Sequence, residues 1–132
     1  MAKYIQFDVA NGLTAATRLT EGPFLIPADD ILFATQASSA TQLTLTITMS
    51  GRGAANYTWA VQLSTLTNPP AVAVGANVPV VTQGRPYVDS LYYAMTANPG
   101  GVKARYAPAP DQNTVAAVNN GLPQRVYVNA IA

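Results

Sequence analysis

The sequence predicts a mainly β member of the α+β class: an antiparallel sheet or sandwich, one short helix packed on it, and extended proline-rich loops. Three observations carry that expectation. Apolar and polar residues alternate at period two in several segments, and one segment alone changes to the helical period. Ten prolines and nine glycines punctuate the remainder. With 132 residues, the chain can bury a sizeable core but is too short for two ordinary ones, so residues 1–132 are read as a single domain.

The elements follow in order. From Lys3 to Val9, Ile5, Phe7 and Val9 share one side and Tyr4, Gln6 and Asp8 the other, as in a half-buried strand, and Asn11-Gly12 closes it. A mixed polar stretch leads to Pro23-Phe24-Leu25-Ile26-Pro27, an apolar run between prolines that suits an edge strand. Ala28-Asp29-Asp30 reads as a turn before Ile31-Leu32-Phe33-Ala34, which is expected to be a buried strand. In Thr41 to Met49, Leu43, Leu45, Ile47 and Met49 interleave with threonines, whose branched side chains suit a pleated surface. Ser50 to Ala55 is a flexible connection into Tyr57, Trp59, Val61 and Leu63, so these two strands should form an antiparallel hairpin with Trp59 anchoring its apolar face.

Thr67 to Gly84 is rich in proline and valine and reads as two short strands or an extended arm. Pro79 confines the second run to an edge, because proline has no N–H for a ladder. Val88, Leu91, Tyr92 and Met95 fall at helical spacing, Pro86 stands where a helix begins and Asn98-Pro99-Gly100-Gly101 ends it. On this helix Tyr92 is expected to face the core and Tyr93 to face outward. Val102 to Tyr106 returns as a strand, Ala107 to Asp111 is a rigid loop, and Arg125 to Ala132 is a strand at the end of the sequence. A strand placed there is expected to be tied into its own sheet or a neighbour's.

Composition narrows the function. Hydrophobic residues make up 49% of the chain and charged ones 10%, against about 25% in an average protein. Mean hydropathy is +0.15. A surface so poor in charge, if it also carries apolar patches, is expected to be covered by other subunits. The net charge of +1 provides no basic stripe for phosphate, so no nucleic-acid partner is expected. No run of about 18 apolar residues occurs and the first residues lack the apolar core of a secretory signal, so the reading is a chain made in the cytoplasm with no membrane partner.

Cysteine and histidine are both absent. That removes disulfides, thiolate nucleophiles, imidazole bases and zinc sites of the common nitrogen and sulfur type. Neither a cofactor nor a metal is expected. The six carboxylates are scattered, and the adjacent pair Asp29-Asp30 is read as turn chemistry rather than as an acid/base pair. Gly51-Arg52-Gly53 lacks the lysine and hydroxyl end of a phosphate loop and precedes a strand, so it is read as a hairpin tip from which Arg52 can reach a partner. The chain is therefore read as no enzyme. Its candidate interface residues are Arg52, Tyr57, Tyr93, Pro69, Pro70, Pro79, Pro108 and Pro110, with Thr67 to Gly84 and Ala107 to Leu122 as contact segments.

The run Phe24-Leu25-Ile26-Pro27-Ala28-Asp29-Asp30-Ile31-Leu32-Phe33-Ala34-Thr35-Gln36-Ala37-Ser38-Ser39-Ala40-Thr41, followed by a threonine-rich alternating strand, resembles small virion proteins of marine and cyanobacterial tailed phages. The similar order of elements covers Lys3 to Thr48 best and the helix from Pro86 more loosely; the segments Thr67 to Gly84 and Ala107 to Asp111 depart from it. The resemblance implies a capsid decoration or cement subunit in the virion, with the major capsid protein or other virion subunits and further copies of itself, as a trimer, for partners. It transfers no catalytic residue. The alternatives are a self-assembling tail, tube or filament subunit, and a glycan- or ligand-binding β module that stacks on Tyr57, Trp59 or Tyr93.

Overall fold

The computed structural model describes residues 4–9, 22–39, 43–65, 78–96, 101–112 and 125–131. They form seven strands, one three-residue turn of 3₁₀ helix and one α-helix: β1 (Tyr4–Val9), β2 (Gly22–Pro27), the 3₁₀ turn (Ala28–Asp30), β3 (Ile31–Ser38), β4 (Leu43–Met49), β5 (Tyr57–Ser64), α1 (Pro86–Thr96), β6 (Lys103–Arg105) and β7 (Tyr127–Ile131). The architecture is the mainly β one that the alternation predicts. The expectations for Asn11-Gly12, for residues 66–77, including Pro69 and Pro70, and for residues 113–124 lie outside the described residues.

The strands run β2-β1-β7-β5-β4-β3, with β6 also on β1. Their directions determine how the sheet is shaped. Between β3 and β2, four pairings are antiparallel (β3–β4, β4–β5, β5–β7 and β1–β2), and the remaining one, β7–β1, is parallel. An even number of reversals leaves β2 and β3 running in the same sense. They are also consecutive, with only Ala28–Asp30 between them. At about 3.3–3.6 Å of reach per residue, so short a link holds Ile31 close to Pro27. Two strands of one sense joined end to start make a single bent strand. Its first half pairs with β1 on one side and its second half with β4 on the other, so the sheet curls round and closes at the bend.

The curl encloses the core. Ile5, Phe7 and Val9 of β1, Ile26 of β2, Leu43, Leu45, Ile47 and Met49 of β4, and Val61 and Leu63 of β5 are all buried. All but Ile26, which stood in an unbroken apolar run, were placed on one face by their alternation. Across this interior the Phe24 ring of β2 meets Trp59 of β5 edge to face, with centroids 5.0 Å apart, although the two strands share no pairing. Trp59 is half-buried there and anchors the apolar face as expected.

Helix α1 packs against β3 and β6. Pro86 stands in its first turn, where a missing N–H costs nothing. The N–H groups of Tyr87 and Val88 donate to the side-chain oxygen of Gln36 on β3, at 2.9 and 3.2 Å, so a strand residue caps a helix about fifty residues away. Further along, the Ala34 N–H reaches the Tyr92 hydroxyl at 3.4 Å and the Tyr106 hydroxyl donates to the Tyr87 carbonyl at 3.0 Å. Tyr87, Val88, Leu91 and Ala94 are buried, Tyr92 is half-buried and Tyr93 is exposed.

One expectation needs correcting, and one open reading is narrowed. Residues 31–34 are not a buried strand. β3 pairs only with β4, and a bulge between Ile31 and Phe33 inserts Leu32 as an extra residue. A bulge reverses the alternation beyond it, so Leu32 and Phe33 both face solvent and only Ala34 is buried. Of the two readings of Thr67 to Gly84, its described part, residues 78–84, forms no strand, so the edge strand expected around Pro79 is not found there. Pro79 is buried, and the Val80 carbonyl accepts the Gln112 N–H at 2.8 Å. Gln112 also holds this segment through its side-chain oxygen, which accepts from Thr82 N at 2.6 Å and Gln83 N at 3.0 Å.

Candidate functional site

The feature that stands out is the outside of the bend. Leu25 is 50% exposed on β2, just before the 3₁₀ turn, and Leu32 and Phe33 are 52% and 51% exposed just after it. Tyr4, exposed at the start of β1, lies opposite Pro27, and its N–H donates to the carbonyl of Val102 at 3.0 Å. Val102 is itself 67% exposed. Tyr57 begins β5 opposite Met49, which in turn faces Ile31. Large apolar or aromatic side chains exposed near one corner form the kind of surface that subunit contacts use.

The corner is braced from behind. Ser50 N–H donates to the Asp30 carbonyl at 2.7 Å, and the Arg52 Nε–H donates to Asp30 Oδ1 at 2.7 Å. This hydrogen bond, with the carboxylate's attraction, raises the Arg52 guanidinium above its ordinary value. Arg52 takes φ of 49°, in the left-handed region unusual for a residue with a Cβ, and Gly53 follows at 99°. The hairpin tip thus folds back onto the 3₁₀ turn, and the acidic turn residue accepts a hydrogen bond from that tip.

The residues singled out from sequence fall in different places. Arg52 is at the tip, committed to Asp30. Tyr57 is exposed near the bend, its ring 6.2 Å from that of Trp59. Tyr93 is 75% exposed on α1, above a shallow open groove lined by Pro86, Asp89, Ser90, Ala107 and Ala109. Pro108 is half-buried and Pro110 exposed in the loop beside it. Pro79 is buried within the chain, and Pro69 and Pro70 lie outside the described residues. Only Arg52 and Tyr57 belong to the corner. Leu25, Leu32, Phe33 and Val102 were missed; the signal available was three large apolar residues in succession, Ile31-Leu32-Phe33, which no strand with one wet face can bury together.

Among the described residues no group of three or more His, Cys, Asp or Glu is placed to hold a metal ion, and no helix is long and apolar enough to cross a membrane. No protein-family model, curated protein or solved structure matches this chain.

Proposed function

We propose that this chain is a non-enzymatic structural subunit that works by repeated contacts with copies of itself and with a larger shell, as a capsid decoration or cement protein does. The observation that carries the reading is the apolar corner around the bend, where Leu25, Leu32 and Phe33 stand exposed on strands at the two ends of the sheet. Burying the exposed half of such a side chain contributes about 1 kcal/mol, enough for a weak contact that repetition on a symmetric lattice multiplies. The low charge of the chain supports the same reading. The virion setting is supported by the resemblance of Phe24 to Thr41 to small phage structural proteins.

The test is quantitative mass spectrometry of purified particles from the source. A copy number comparable to that of the major shell protein is the expected result, a few copies per particle would move the chain to a tail part, and absence from particles would refute the virion reading.

A further inference from the structure

A separate feature lies along the opposite edge of β1. That edge pairs in parallel with β6 from Tyr4 to Gln6 and then with β7 at Val9. Between these two partners the neighbouring strands part, and a crevice of about 160 Å³ opens, lined by Asp8, Arg105, Tyr106, Arg125, Tyr127 and Val128 among others. The Asp8 carboxylate is already engaged: Oδ1 accepts from Gln6 Nε2 at 2.7 Å, and Oδ2 from Arg105 Nε at 2.8 Å. The Arg125 guanidinium lies over the Tyr127 ring, 4.8 Å from its centroid, and forms no salt bridge among the described residues.

We infer that this crevice binds one carboxylate, carried on an aspartate or glutamate side chain of a neighbouring protein subunit. Among the described lining residues two arginines and one aspartate leave a net charge of +1, which a single carboxylate neutralises. A dianionic phosphate would exceed that charge and would face Asp8. The planar guanidinium presents paired N–H donors that match a carboxylate's two oxygens. Stacking on Tyr127 holds Arg125 in place before the ligand arrives, which lowers the ordering cost of binding. The volume is below the roughly 300–1,000 Å³ of pockets that take drug-sized ligands, and it suits a side chain. That the carboxylate belongs to a neighbouring subunit rests on the assembly reading; the preference of the crevice for a carboxylate does not.

The test is an NMR titration of the full chain with glutamate blocked at both its amino and α-carboxyl ends, with equally blocked glutamine and inorganic phosphate as the other arms. Saturable shifts of the Val126 to Val128 amides with glutamate and none with glutamine are expected. Arg125→Gln should weaken glutamate binding at least fivefold, whereas Arg85→Gln, at an exposed position just before α1, should leave it unchanged. Equal shifts with glutamine, unchanged binding in Arg125→Gln, or tighter binding of phosphate than of glutamate would each overturn the inference. None of these outcomes bears on the apolar corner, whose role is read from oligomer mass.

Discussion

Replacing Gln36 with methionine keeps the length and most of the bulk of the side chain but removes the oxygen that accepts two N–H donors at the start of α1. Both donors belong to buried residues, Tyr87 and Val88, so solvent is poorly placed to replace the lost partner. Each bond contributes about 1 kcal/mol net, and a lost helix cap costs about the same; the two views describe one interaction, so Gln36→Met should destabilise by about 2 kcal/mol. With an unfolding entropy of about 2.1 cal/mol/K per residue over 132 residues, that lowers Tm by about 7 °C. Thermal and urea unfolding followed by circular dichroism read both quantities. A Gln36→Met protein as stable as wild type would refute the claim that β3 holds the helix through this side chain.

Other perturbations probe other parts of the fold. If the sheet curls as described, Phe24→Leu and Trp59→Leu should show a coupling of about 0.5–1.5 kcal/mol in a double-mutant cycle, and additive effects would argue against the contact across the interior. Gly51→Ala would drive a Cβ into the backbone oxygens of Ala55 and Ala54, so a loss of about 1–3 kcal/mol in urea unfolding is expected; a neutral result would mean that the hairpin tip has room to shift. Burial, then the charge of Asp111, raises the Tyr87 phenol well above its ordinary value of 10.0, and burial does the same for Tyr106. Their unfolded counterparts lose protons near pH 10, so this contribution to stability is complete below about pH 10 and falls as pH rises beyond it. In an absorbance titration, two of the seven tyrosines should ionise only as the fold is lost; reversible ionisation of all seven in folded protein would contradict their burial.

Much of the fold could be read from period alone. Leu43–Met49 alternates strictly because one face of β4 lies wholly in the core, and Ile5, Phe7 and Val9 of β1 and Val61 and Leu63 of β5 follow the same rule, although Gln6 is also buried and Tyr57, at the start of β5, is exposed. α1 was legible because its apolar residues follow the helical spacing between a starting proline and a glycine pair. β3 was misread because a bulge is one added residue in a ladder: the run Ile31-Leu32-Phe33 signals that not all three can be buried, but not where the extra residue falls. The closure of the sheet was equally hidden. It depends on β2 and β3 running in the same sense, which follows from pairings between residues as distant as Val9 and Val128. The crevice arises from that same parallel edge, and Arg105 and Arg125 show no motif that would join them in sequence. By contrast, the turn at Asp29-Asp30 was readable from its residue types, whereas the bond that the Asp30 carboxylate accepts there comes from Arg52, which the sequence does not reveal.

The measurement closest to the central claim is the mass of the purified chain in solution by multi-angle light scattering across a dilution series, alongside the double variant Leu32→Asp/Phe33→Asp. If the bend is a self-association surface, the wild type forms an oligomer that dissociates on dilution, and the variant stays at the 13.8 kDa monomer mass with an unchanged far-ultraviolet spectrum. A wild type that is monomeric at every concentration, or a variant that retains the oligomer mass, would contradict it.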